Sequence, residues 1–90
     1  MQDFKMEIKF SPRFRKQYRK ASHKIKVTFN KRLKLFQENS YNPLLNNHQL
    51  SGKLKGYRSI NITGDWRAIY SREDGSIIFE MLGTHNQLYK

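Results

Sequence analysis

The sequence predicts an α+β domain: one strand, a helical hairpin, then a three-stranded antiparallel meander. Three observations predict it. Near the start, Phe4, Met6, Ile8 and Phe10 alternate with Lys5, Glu7 and Lys9, the period-two pattern of a strand with one buried face. From Phe14 to Phe36 the apolar residues recur every three or four positions, the period of a helix. After Tyr57 the period returns to two, in three runs separated only by short turn signals. Strands joined by short turns are antiparallel, and two helices laid on one face of such a sheet give an α+β layer structure. At 90 residues the expectation is a single domain, residues 1–90, that buries roughly 60–65% of its unfolded surface.

Each element has a local cause. "SPRF" ends the first strand, because Ser11 is an N-cap and Pro12 suits the first helical turn, where no N–H is needed. Phe14, Tyr18 and Ala21 then mark a short basic helix. A break at Ser22 and His23 leads to a second helix, in which Ile25, Phe29, Leu33 and Phe36 repeat at steps of four, four and three. Asn39 is its expected C-cap, and "NSYNP" its exit. "YNPLLNNHQLSGKLKG" reads as an irregular connector whose leucines pin it to the core. "YRSINI" is the second strand and "TGD" a turn. "WRAIYS" places Trp66, Ala68 and Tyr70 on one face, with Arg67 and Ile69 on the other. "REDG" is a tight hairpin turn, and "SIIFEML" a mostly apolar strand inside the sheet. The first strand has a place beside either the second or the fourth.

Charge narrows the partners. Eighteen Lys and Arg stand against seven Asp and Glu, a net charge of +11. From Ser11 to Glu38 ten basic residues, among them Lys16, Arg19 and Lys20, face one acid, which gives that stretch +9. Such a field attracts polyanions, either nucleic acid or an acidic protein. The absence of cysteine removes disulfides and thiolate metal sites. His23, His48 and His85 have no ligand-like spacing, so no metal or other cofactor is expected. With no apolar run near the ~20 residues of a membrane span and no basic-then-apolar start, the expected location is the cytoplasm.

The residues with chemistry to offer gather at the strand ends and in the connector: His48, Lys53, Lys55, Arg58, Asn61, Asp65, Arg67, His85 and Tyr89. They supply imidazole, phenol, guanidinium and carboxylate, without a glycine-rich phosphate loop, a nucleophile elbow or a metal cluster. That set fits metal-free cleavage of RNA. There the 2′-OH is itself the nucleophile, and the protein removes its proton, stabilises the phosphorane and protonates the leaving 5′-oxygen. Each residue also has a plainer role. His85 can fix the last turn, Tyr89 can anchor the C-terminus, Asp65 can make an Asx-type bond, and Trp66 can be core.

Two stretches, "HQLSGKLKGYRSINITGDWRAIY" and "LGTHNQLY", together resemble the RelE/ParE superfamily of bacterial type II toxins. The likeness is nearest to the branch of YafQ-type and RelE/StbE-type mRNA interferases. The resemblance implies a RelE-like fold and a toxin that enters the ribosomal A site, contacts rRNA and cuts mRNA without a cofactor. A cognate acidic antitoxin neutralises it. The carry-over makes His48 the family's connector histidine and Asp65 and Trp66 its aspartate and following aromatic. Arg67 becomes the arginine on the scissile phosphate, His85 the acid or base of the G-T-H motif, and Tyr89 the terminal aromatic. Lys53, Lys55, Arg58, Asn61, Trp66, Lys16, Arg19 and Lys20 are the expected RNA contacts. Two positions depart from the pattern. Asn61 stands where YafQ-type chains have a second histidine and RelE-type chains a lysine, and Met81 where YafQ-type chains have an arginine. Asparagine is no acid or base near neutral pH and methionine binds no phosphate, so these positions raise the expectation of a weakened site. The alternatives are a ParE-like inhibitor of DNA gyrase, a branch that does not need the G-T-H end, and a toxin homologue that binds RNA or ribosomes with little catalysis.

Overall fold

Ser11 turns the chain from strand to helix. In the computed structural model, which describes residues 6–89, its Oγ accepts the Phe14 amide at 3.0 Å. The first strand, β1 (Glu7–Phe10), thereby gives way to α1 (Pro12–Lys20). Ser22 repeats the device, accepting from the Ile25 amide at 3.2 Å, and opens α2 (His23–Glu38), which Asn39 ends. Phe4 and Lys5, expected in the first strand, lie outside the described residues.

The connector holds more structure than its composition predicts. Two single 3-10 turns, Pro43–Leu45 and Gly52–Leu54, bracket a two-residue strand, β2 (His48–Gln49). It pairs antiparallel with β3 (Arg58–Asn61), His48 opposite Ser59 and Gln49 opposite Arg58. The sheet therefore has five strands, not four. The physical reason is the open edge of β3, whose backbone groups need partners; the Leu50 amide extends the ladder to the Tyr57 carbonyl at 3.0 Å. Asn47 pins the segment. Its Nδ2 donates to the Ser40 carbonyl and to the Tyr70 hydroxyl, both at 2.8 Å, and its Oδ1 accepts from Arg58 Nε at 2.8 Å.

β3, β4 (Trp66–Glu73) and β5 (Ser76–Thr84) form the expected meander, in the sheet order β1-β5-β4-β3-β2. The turn between β4 and β5 has Asp74 at φ 48° and Gly75 at φ 83°. Two consecutive left-handed residues match the right-handed twist of a two-residue hairpin. β1 lies beside the last strand rather than the second and runs parallel to it, Phe10 opposite Phe79.

Both long helices cover one face of the sheet. Phe14, Phe29, Phe36, Leu45, Ile60, Ile62, Ala68, Tyr70, Ile77, Phe79 and Leu82 form the buried core there. The Phe79 ring is its hub, with centroids of Phe29, Phe36 and Tyr70 at 5.6 Å and of Phe10 and Phe14 at 5.8 Å. The Phe10 pair is stacked and the others are tilted or edge-on, arrangements that aromatic rings favour at these spacings. The opposite face carries the alternate residues Ser59, Asn61, Arg67 and Ile69. Ile69 lies on the face the sequence predicts for it, yet it is as buried as the core residues.

Candidate active site

The site is built at the end of β5. β1 stops opposite Phe79, so the backbone beyond that point has no strand neighbour on one side. α1 supplies the missing partners. The Ser11 amide donates to the Phe79 carbonyl at 2.9 Å, Ser11 Oγ donates to the Glu80 carbonyl at 2.9 Å, and Gln17 Oε1 accepts the Leu82 amide at 2.7 Å. The strand that leads to His85 is thus held from both edges.

Gly83 and Thr84 then fold the chain back. Thr84 caps a single helical turn, α3 (His85–Leu88), in a reciprocal box: its Oγ1 accepts the Gln87 amide at 3.2 Å, and Gln87 Oε1 accepts the Thr84 amide at 2.9 Å. Gly83 allows the close approach. A Cβ there would stand 3.0 Å from Gln87 Oε1 and 3.2 Å from Leu88 Cδ2. The turn of α3 is therefore tied to the end of the strand.

The His85 amide donates to the Asp65 carbonyl at 2.9 Å, which ties α3 to the turn before β4. Thr63 shapes that turn, because its Oγ1 accepts from the Asp65 and Trp66 amides at 3.3 and 3.0 Å. Thr63 thus fills the part considered for Asp65. The Asp65 side chain is exposed, and the residue bonds through its backbone. Arg67 donates from Nη1 to the Thr63 and Trp66 carbonyls at 3.0 and 3.1 Å. Its Nε and Nη2 make no hydrogen bond to the described residues and remain available to a ligand. Across the sheet Arg67 pairs with Gly83 on one side and Asn61 on the other. Asn61 Oδ1 is buried and has no hydrogen-bond partner among the described residues.

Tyr89 closes the arrangement. Its ring meets the His85 imidazole edge-on, centroids 4.6 Å apart, its amide donates to the His85 carbonyl at 3.0 Å, and its hydroxyl donates to Ser59 Oγ at 2.9 Å. His85, Arg67, Asn61, Tyr89 and the Asp65 backbone thus come together. His48 shares their face through its pairing with Ser59, but three strand spacings separate it from β5, about 14 Å. It stands at the far rim, with Nδ1 2.8 Å from the Asn46 carbonyl.

Other expected RNA contacts lie elsewhere. Arg58 is on the helix-bearing side, bonded to Asn47, its guanidinium 5.4 Å from the centre of the Tyr41 ring. Trp66 alternates with Ala68 toward the same side and packs on the core. It shares a groove with Lys20, Gln87 and Leu88 that borders α3 from behind. Lys16, Arg19, Lys53 and Lys55 are exposed on α1 and in the connector. Ser59, Thr63 and Gln87 are absent from the expectations, and Gly83 and Thr84 enter them only as part of the G-T-H motif, although "THNQ" carries the T-x-x-Q signature of a capping box. Among the described residues no group of three or more His, Cys, Asp or Glu is placed to hold a metal ion.

Known proteins resemble the chain in sequence and fold. The chain is 28% identical over 86 residues to the mRNA interferase toxin YafQ of one Escherichia coli strain, spanning 96% of this chain and 87% of that protein. To YafQ of a second strain it is 43% identical over 42 residues, 47% of this chain and 46% of that protein. The structure superposes on a chain of the E. coli DinJ-YafQ toxin-antitoxin complex with a TM-score of 0.79 at 26% identity, covering 97% of this chain and 100% of that one. The sequence model of the bacterial toxin YafQ of type II toxin-antitoxin systems matches residues 6–90, and the chain belongs to that family.

Proposed function

We propose that the chain is the toxin of a type II toxin-antitoxin pair and an endoribonuclease that cuts mRNA on the ribosome, in the cytoplasm. The observation that carries this reading is the junction of α3 with the sheet. It sets an exposed imidazole (His85), a half-free guanidinium (Arg67) and an aromatic ring (Tyr89) on one open face. The RNA 2′-OH gives up its proton to water and attacks the adjacent phosphorus, the P–O5′ bond breaks, and a 2′,3′-cyclic phosphate remains. His85 gives its proton to the leaving 5′-oxygen, a proton transfer for which a positioned imidazole is the side chain most often used. Arg67 Nε and Nη2 meet the charge that builds on the phosphorane oxygens. Tyr89 offers its ring to the face while its hydroxyl is turned inward to Ser59. The reaction needs no metal, because the nucleophile belongs to the substrate.

Partners follow from charge. The exposed basic residues of α1 and α2 suit rRNA phosphates. A groove of about 480 Å³, lined by Phe10, Phe14, Tyr18, Phe29 and Leu33 and edged by Arg15 and Arg19, suits an acidic, amphipathic antitoxin segment. Asn61 and Met81 favour a second reading, a homologue that docks on ribosomes but cleaves slowly. The deciding experiment is cleavage of ribosome-bound mRNA by wild type and His85→Ala at matched concentration, with EDTA and 2′-deoxy controls and a gyrase supercoiling assay alongside. Cleavage lost in His85→Ala and blocked by 2′-deoxy substitution is the expected result. Equal rates for both proteins would remove His85 from the chemistry, and inhibition of supercoiling without cleavage would select the gyrase alternative.

A further inference from the structure

We propose that Ser59 is a positioning residue that holds the His85 imidazole in place through Tyr89. The inference rests on the cleavage reading above and adds a residue to it. Ser59 is fully buried in β3. A buried hydroxyl needs a hydrogen-bond partner, and the one it has is the phenol of Tyr89, at 2.9 Å. Tyr89 follows α3 at the end of β5, and β4 lies between β5 and β3. The segment from α3 to the Tyr89 hydroxyl therefore bridges from the end of β5 to β3, past the intervening β4. Ile69 is the β4 residue paired with Ser59. It is fully buried on a face that neither long helix covers.

The imidazole depends on this strap. His85 is exposed, and its ring nitrogens make no hydrogen bond to the described residues. Its ring packs against Tyr89 alone among the aromatic side chains described. Tyr89 is held at its backbone by the amide bond to the His85 carbonyl and at its phenol by Ser59. Release of the phenol frees the tyrosine side chain to rotate, and with it the surface that orients the imidazole. An acid set an ångström off its line loses much of its effect, on the order of 10²-fold.

The test combines kinetics with a direct view of the imidazole. Ser59→Ala and Tyr89→Phe each remove one end of the bond. Each is expected to slow single-turnover cleavage about tenfold, with the apparent KM for programmed ribosomes unchanged. The double variant is expected to be no slower than either single one, because all three lack the same bond. Nitrogen-15 correlation spectra of the histidine ring should show one sharp His85 set in wild type and a broadened or shifted set in each variant. Ser59→Thr, which keeps the hydroxyl, should restore the sharp set. Wild-type rates and unshifted His85 signals in Ser59→Ala would overturn the proposal. So would additive losses in the double variant, which would mean independent packing effects. A wild-type chain that cleaves nothing would overturn the cleavage reading instead; the ring spectra would still decide whether Ser59 holds His85.

Discussion

Gly83→Ala separates the fold from the site. The residue is not in the left-handed region, so alanine adds no backbone strain, and its narrower unfolded ensemble stabilises by about 0.4–1 kcal/mol. Against that, the new methyl meets Gln87 Oε1 at 3.0 Å and Leu88 Cδ2 at 3.2 Å. Gln87 must give way by a few tenths of an ångström, which weakens its bond to the Thr84 amide and costs at most the net value of that bond, about 0.5–1.5 kcal/mol. The two effects nearly cancel, and even a residual 1 kcal/mol shifts Tm by only about 4–8 °C in a domain this small. Activity has no such compensation, because α3 carries His85 and leads directly into Tyr89, and a displacement near 1 Å lowers the rate on the order of 10²-fold. The expected signature is a melt within about 8 °C of wild type, mRNA cleavage lowered by one to two orders of magnitude, and faster hydrogen exchange at the His85 and Tyr89 amides. Wild-type cleavage would show that α3 tolerates the methyl. A loss of folding would show that the β5 end belongs to the global core.

Arg67→Ala should cut cleavage about 10²- to 10³-fold, the range for loss of one donor to a developing oxyanion. It should also lower stability by about 1 kcal/mol, because Nη1 bonds the Thr63 and Trp66 carbonyls that close the turn. Melts beside single-turnover rates check both parts, and a fully active variant would take arginine out of the mechanism. Replacing Lys16, Arg19 and Lys20 by glutamate should weaken ribosome binding and flatten the slope of affinity against salt, by about one unit for each rRNA phosphate left without its cation. An unchanged slope in sedimentation assays would place the docking surface elsewhere.

What the sequence reveals here is local, and what it hides is relational. The caps at Ser11 and Asn39 and the hairpin at Asp74 and Gly75 stand where residue chemistry puts them. Two residues show no period, so β2 is invisible in the sequence; only the open edge of β3 calls for it. The parallel place of β1 stays open in the sequence because pairing is decided by the finished sheet. Trp66 and Arg58 illustrate the limit for the site. The alternation of Trp66 with Ala68 already sets it apart from Arg67, whereas the resemblance groups them by position in a motif. Arg58 reads as a free cation in sequence, and only the folded connector supplies Asn47 to hold it. Ser59 gives no signal, because a serine in a strand looks like surface until a tyrosine thirty residues away reaches it.

One irregularity reconciles the two faces. Ile69 pairs with Met81, but Tyr70 pairs with Phe79, so Glu80 is an extra residue in β5. A strict period of two would send Phe79 and Leu82, three apart, to opposite faces. The bulge shifts the phase by one, so both enter the core. Ser11 Oγ donates to the Glu80 carbonyl at 2.9 Å, which satisfies a backbone group that the disrupted ladder exposes, and Ser71 Oγ holds the Glu80 side chain by donating to its Oε2 at 3.1 Å. Beyond the bulge, Met81 and Gly83 align with Ile69 and Arg67 on the open face. The chain can then leave β5 toward that face, and α3 begins immediately after Thr84 has paired with Trp66. Removing the extra residue would send either Phe79 or the approach to His85 to the wrong side. The phase shift at Glu80 thus joins the packing of the core to the placement of the imidazole.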